Sequence, residues 1–324
     1  MISRTKFDLD NATIEKLFAA AGFRHITDIA PLGAGEYNAV YSANADGREY
    51  AVKIAPKPEA AVLTYEKNMM ASELYWYKQI KENTSIRVPE IIYENTDKKI
   101  IPAEFFIMEK LDGTQMDKTE FTDGEKVESA REMARMAGEI HKIKNDKFGY
   151  IQNGLYDDWY QAFRAMISAC IDDCKAAGRK TRRGEKLLKF ADKYRNILEK
   201  VECTMVNFDI WWPNIICNRE NGVMNYAWID PERSFWGDRI ADFVCLEFFK
   251  RFDDKKISIE AYNSVADAPV KADGEEKIRL ALMLGYLALI QETEKYYRYT
   301  PAHFGWWRNV IMGGFTYKRA FEVL

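Results

Sequence analysis

Two aspartates and an asparagine in one short polar island are the residues of this 324-residue chain best placed to do chemistry. Asn207-Phe208-Asp209-Ile210-Trp211-Trp212-Pro213-Asn214 is followed, one short hairpin later, by Trp228-Ile229-Asp230-Pro231-Glu232. A carboxylate such as Asp209 can accept or orient the proton of an attacking hydroxyl. Asn214 offers a neutral oxygen and Asp230 an anionic one, the hard ligands magnesium takes when phosphate oxygens and water complete its shell. Two carboxylates gathered in one cleft repel, and a bound cation offsets that repulsion. The plain alternative is a polar loop with two incidental aspartates, and the residues upstream decide against it.

Gly33 and Gly35, in Leu32–Tyr41, fall between two predicted strands. Without Cβ atoms they permit a tight turn whose amides can approach phosphate oxygens. Alone, such a pair is an ordinary β-turn. Lys53 then sits in the next strand with apolar neighbours, so its ammonium must reach solvent along its stem or meet an anion. The helix that follows offers Glu66 and Glu73, and Glu73 is favoured because it lies on the turn with Met70 and Leu74. A lysine held by a helix glutamate and aimed at the α- and β-phosphates is the arrangement of ATP-dependent phosphoryl transfer.

The elements that must position these groups divide the chain. Strand-like runs at 27–32, 38–43, 49–54, 88–93 and 105–109, with one amphipathic helix near 60–82, fill the first third. Beyond Leu111-Asp112-Gly113-Thr114 the pattern predicts helices near 124–144, 157–177, 182–200, 237–251, 274–298 and 304–323. This is an α+β, two-lobe plan: a nucleotide-binding lobe over 1–110, a hinge about 109–113, and a mainly helical catalytic and substrate lobe over 111–324. A ligand is expected in the crevice between the lobes.

Bulk properties exclude other classes. Lys and Arg number 47 against 50 Asp and Glu, without the basic excess of a nucleic-acid protein. The N-terminus lacks the apolar stretch of a signal peptide, and the greasiest run, Leu280–Ile290, is too short to span a bilayer. Five cysteines (Cys170, Cys174, Cys203, Cys217, Cys245) form no C-x-x-C pair and read as reduced, packed thiols. A cytoplasmic protein is expected, with a small-molecule hydroxyl acceptor and with no nucleic-acid, membrane or obligate protein partner.

The order of these motifs resembles the aminoglycoside phosphotransferase and choline kinase superfamily, whose members share the protein-kinase-like fold. Leu32–Tyr41 looks like its nucleotide loop, and Phe105–Gly113 like its last front-lobe strand and hinge. The segment around His141 is similar to its first large helix of the second lobe; 209–214 and 229–242 resemble its catalytic loop and metal-binding segment. The resemblance implies ATP (or GTP) and Mg2+, with Asp209 as the catalytic base or hydroxyl-orienting residue and Asn214 and Asp230 on the metal. It implies Lys53 on the α/β-phosphates with Glu73 holding it, backbone groups of Glu109 to Leu111 on adenine, and bracing roles for Asp238 and Asp242. One departure is Asn207, where the family usually has histidine; that position braces, and an amide can still donate.

For the acceptor, Asp157 and Asp158 at a helix start and Glu292 in the long late helix are the candidate contacts. Acidic walls suit a polycationic aminoglycoside and aromatic ones a choline-like ammonium, although acidic pairs at helix starts also simply favour the macrodipole. The Ile-Asp-Pro segment also resembles the ketosamine kinase branch, which keeps a sugar-amine acceptor open. A silent nucleotide-binding scaffold is the rival that Asn207 raises. A protein kinase is disfavoured because Asp230 runs directly into Gly237-Asp238-Arg239, leaving no room for an activation segment. His141, on an apolar helix face, reads as a satisfied core residue.

Overall fold

The computed structural model describes residues 4–33, 35 and 37–324; Ala34 and Glu36 of the glycine turn, and residues 1–3 of the N-terminus, lie outside the described residues. Two compact units emerge. The first takes the chain up to Ala61, Arg87–Gly113 and Ile216–Ile229; the second takes Val62–Ile86, Thr114–Ile215 and Asp230–Leu324.

In the first unit, helix α1 (Asn11–Ala20) is capped by the Asp10 carboxylate, which accepts from Thr13 N. Strands β1 (Ile26–Pro31), β2 (Ala39–Ala45), β3 (Arg48–Ile54), β4 (Ile91–Asn95) and β5 (Phe105–Glu109) form one sheet in the order β1-β2-β3-β5-β4. Every neighbouring pair is antiparallel. The two-residue turn between β2 and β3 works because Asp46 and Gly47 both take positive φ, 50° and 86°, which matches the strand twist. Along β2, Ala39, Tyr41, Ala43 and Ala45 turn inward with the strand period of two. They join Ile14, Leu17, Phe18, Val52, Ile54, Phe105 and Ile107 in one core. β3 carries Lys53 opposite Val40 on one side and Phe106 on the other.

The second unit is helical: α2 (Met69–Asn83), α3 (Asp123–Ile140), α4 (Trp159–Ala176), α5 (Arg182–Lys193), α6 (Arg195–Leu198), α7 (Lys256–Asn263), α8 (Gly274–Arg298) and α9 (Phe304–Phe321). A small antiparallel ribbon, Thr204–Val206 against Phe235–Gly237, leads into and out of the polar island. Caps fix the helix starts: Thr122 and Glu125 close a capping box on α3, Asp158 caps α4, Asp273 caps α8 and His303 caps α9. Among the described residues no helix is long and apolar enough to cross a membrane.

Three helices differ from expectation, the one expected at 182–200 being broken at Tyr194 into α5 and α6. The one expected near 60–82 begins only at Met69, because Thr64 is tied through N and Oγ1 to the Asp173 carboxylate (2.9 and 2.7 Å) and Asn68 turns left-handed at φ 57°. The one expected at 237–251 is a 3-10 turn, Arg239–Val244. Glu247, at φ 44°, stops it, and the Lys255 ammonium takes up the carbonyls of Leu246 and Glu247.

Candidate active site

The island becomes rigid through one buried carboxylate. Asp242, fully buried, accepts from the backbone N–H of Asn207 (3.1 Å) and of Phe208 (2.5 Å). Phe208 stands at φ 63°, a conformation costly for a bulky side chain and sustained here by those bonds. His141 backs the carboxylate: its Nε2 donates to Asp242 Oδ2 at 2.8 Å while Nδ1 accepts from the Tyr262 hydroxyl at 2.9 Å. The core reading of His141 thus holds, and the residue also supports the loop from behind. Asp238 caps the following turn through Ile240 N (3.1 Å) and pairs with Arg279 at 2.9 Å.

Asp209 is oriented from both sides. Its N–H donates to the Asn207 side-chain oxygen (2.8 Å), while Asn214 Nδ2 donates to its carbonyl and to its carboxylate Oδ2, each at 3.0 Å. Asn207 therefore does what a bracing residue must, its own amide donating on to Ser234 Oγ at 3.3 Å. With its nitrogen turned to Asp209, Asn214 has its carbonyl oxygen as the end suited to a cation. Asp230 also sits left-handed, at φ 58°, and its N–H donates to the hydroxyl of Tyr77 on α2 (3.0 Å). Asn214 and Asp230 each carry oxygen donors, one of them a carboxylate. Among the described residues no group of three or more His, Cys, Asp or Glu could hold a metal ion. An amide oxygen and a carboxylate are the hard donors that Mg2+ takes, with water and phosphate oxygens completing its shell.

Burial pushes the Asp209 carboxyl up to about 6; the Arg233 cation opposes that rise, Glu232 and Asp230 add to it, and the Asn214 bond opposes it. Arg233 Nε lies 3.9 Å from Asp209 Oδ2, and Arg233 Nη2 donates to Glu294 on α8 at 2.7 Å. Glu294 also accepts from the Tyr65 hydroxyl (3.2 Å), and Arg298 pairs with Glu66 one turn further along. Burial alone would raise the Glu294 carboxyl, yet the Arg233 and Arg298 cations hold it below the usual range. This network of Tyr65, Glu66, Arg233, Glu294 and Arg298 escaped the sequence reading. Glu66 enters that reading only as a possible partner of Lys53 and Glu294 only as an acid of the long late helix; a further signal was the arginine three residues after Asp230, a cation close in sequence to an acidic site.

The remaining expected residues fall as follows. In the first unit Gly33 (φ 76°) and Gly35 are exposed, and Lys53 on β3 is buried. Glu109 ends β5, where its N–H donates to Glu90 O (2.8 Å) and its carboxylate pairs with Arg87; Leu111 follows in the connecting segment. In the second unit Glu73 is buried on α2. The three acidic candidates for the acceptor each have a local partner. Asp157 pairs with Lys147, Asp158 caps α4 by accepting from Gln161 N (2.8 Å), and Glu292 accepts from Thr181 Oγ1 (3.1 Å).

A buried carboxylate braced by Asn207 and Asn214, in a chain with an antiparallel sheet in its first unit and helices in its second, accords with a small-molecule kinase. Residues 28–263, more than half of the chain, match the phosphotransferase enzyme family, and the chain belongs to that family. No curated protein sequence matches it significantly. Among solved structures, a Haemophilus somnus 129PT protein provisionally named fructosamine-3-kinase is 18% identical, with 97% of this chain and 96% of that chain covered at a TM-score of 0.66. A Ralstonia eutropha JMP134 protein provisionally named an aminoglycoside phosphotransferase is 14% identical, covering 97% and 99% at 0.63. The ternary complex of streptomycin, ATP and the phosphotransferase APH(2'')-IIa is 18% identical, covering 97% and 99% at 0.59. At these identities the likeness is one of fold.

Proposed function

We propose that this phosphotransferase moves the γ-phosphoryl group of ATP (GTP being the other candidate donor) onto a hydroxyl of a small molecule, with Asp209 receiving the hydroxyl proton. The observation that carries the reading is the orientation of Asp209 by Asn207 and Asn214 within a loop fixed by Asp242. As the acceptor oxygen bonds to the γ-phosphorus, the bond from that phosphorus to the β-phosphate oxygen breaks and ADP leaves. Arg233 limits the rise of the Asp209 carboxyl, so the base remains available near neutral pH. Asn214 and Asp230 would hold Mg2+, which supplies charge neutralisation on the phosphates. Gly33, Gly35, Lys53, Glu109 and Leu111 are assigned to the nucleotide and Glu73 to the charge of Lys53, making 1–110 the nucleotide lobe and 111–324 the catalytic one. Five cysteines that form no disulfide, four of them buried, and a nucleotide donor support a cytoplasmic setting.

The partners found for Asp157, Asp158 and Glu292 favour looking beyond polycationic aminoglycosides. The test is Mg2+-dependent ADP release over aminoglycosides, choline-like amines, ketosamines, sugars and nucleosides, wild type beside Asp209→Asn. Acceptor-stimulated release lost in the variant supports the assignment and names the substrate class. Release that persists in Asp209→Asn refutes the catalytic role.

A further inference from the structure

The C-terminal helix carries a face that the fold leaves uncovered. On α9, Phe304, Trp307, Ile311 and Phe315 recur at helical spacing and are 79, 54, 67 and 39% exposed. Phe249, 75% exposed, extends the face from the neighbouring loop: its ring lies 6.1 Å from that of Phe315. Arg319 fastens this loop to the helix by donating to the carbonyls of Phe248 and Lys250, so the two elements present one surface. At roughly 200 Å2 per aromatic side chain, the four exposed aromatics leave about 500 Å2 in water, the upper range for a patch on a monomer.

Charge distinguishes the occupant. Phe304–Phe321 holds Arg308, Lys318 and Arg319 and no carboxylate, and the loop adds Lys250 and Arg251. The carboxylates beside them are Glu322, within 3.8 Å of Arg251 and 4.0 Å of Lys318, Glu247, paired with Lys250, Asp253, paired with Lys277 at 3.0 Å, and the exposed Asp254. With Lys277 the face holds six cations against four carboxylates, a net positive balance on a chain whose formal charge is −3. A second copy of the same face would bring like charges together. An anionic lipid surface complements them, while Phe, Trp and Ile suit the boundary between headgroups and acyl chains. Trp307 is already prepared for that boundary, because its indole N–H donates to Pro301 O at 2.8 Å and would not be orphaned on leaving water.

We propose that the face formed by α9 and the Phe249 loop docks the protein onto an anionic membrane surface, a partner that the composition alone did not suggest. The full chain is floated with vesicles of phosphatidylcholine alone and of equal parts phosphatidylcholine and phosphatidylglycerol, at low and high salt. The expected result is flotation with the anionic vesicles only, weakened by salt. It should fall at least about tenfold in Ile311→Ser with Phe249→Ser, and again in Arg251→Glu with Lys318→Glu. Circular dichroism and sedimentation of each variant establish that it is folded. Three outcomes overturn the proposal: no flotation with either vesicle, equal flotation with both, or a concentration-dependent dimer that Ile311→Glu dissociates while vesicles bind nothing.

Discussion

At the scale of single residues, the catalytic assignment rests on a carboxylate that must be ionised to accept a proton yet is held in a site that resists ionisation. The pH dependence follows. Asp209, at about 6, is protonated below that value, so kcat/KM for the best acceptor should fall on the acid side with a midpoint near pH 6. Removing the opposing cation by Arg233→Gln should move that midpoint upward, since only the Asn214 bond then opposes burial, Glu232 and Asp230; a pH–rate profile that does not move would refute the coupling. Asp209→Asn should lower turnover by about two to four orders of magnitude while leaving nucleotide affinity within a few-fold, because it removes the base and keeps the shape. Titration of both proteins with a nucleotide analogue, beside single-turnover rates, separates the two effects.

At the scale of elements, the loop is held by its surroundings more than by its own sequence. Asp242→Ala would orphan two buried backbone N–H groups and the Nε2 of His141, at a cost of about 3 kcal/mol by denaturant unfolding. Turnover should fall with it, and Asp242→Asn, which keeps one acceptor oxygen, should lie between. A second prediction concerns the turn that replaced an expected helix. Burial, with Arg319 adding to it, pushes the Lys255 ammonium down to about 7 against the opposing pull of Glu247. An unfolded lysine titrates near 10.4, so between about pH 7 and 10 the unfolded chain binds more protons and stability rises with pH, by up to about 1.4 kcal/mol per unit. The difference in stability between wild type and Lys255→Met, measured at pH 6, 8 and 9.5, should therefore change in favour of wild type as pH rises. A constant difference would show that Lys255 does not titrate there. These two cases also show what the sequence could convey. The sheet, the Asp46-Gly47 turn and the motif residues are local signals, legible from strand alternation and residue type. The late start of α2 and the loss of helix after Asp238 depend on Asp173 and Lys255 reaching other segments, and no local pattern encodes such contacts. Arg233 was visible, but its link to Glu294, 61 residues on, was not.

At the scale of the whole molecule, nucleotide binding and folding are linked, because only the folded chain assembles the groups assigned to the phosphates and the cation. The first unit is itself built from three separated stretches of chain, ending with Ile216–Ile229, and the second resumes at Asp230, so the two donors assigned to the metal bracket a hairpin of the other unit. Unfolding must disperse Asn214 and Asp230. A ligand that binds the native state alone adds about 2.7 kcal/mol at a hundred times its dissociation constant. For a chain of this size that is a shift of several degrees in Tm, at roughly 2–4 °C per kcal/mol or somewhat less. A non-hydrolysable ATP analogue with Mg2+ should therefore raise Tm by about 5 °C, and the analogue with excess chelator by much less. Asp230→Ala should abolish the Mg2+-dependent part of the shift while keeping its own baseline within a few degrees, since the Tyr77 bond goes to the backbone of that residue and survives the substitution. Differential scanning fluorimetry on the two proteins, with and without metal, decides the matter. A full shift in Asp230→Ala would mean that the cation is held elsewhere.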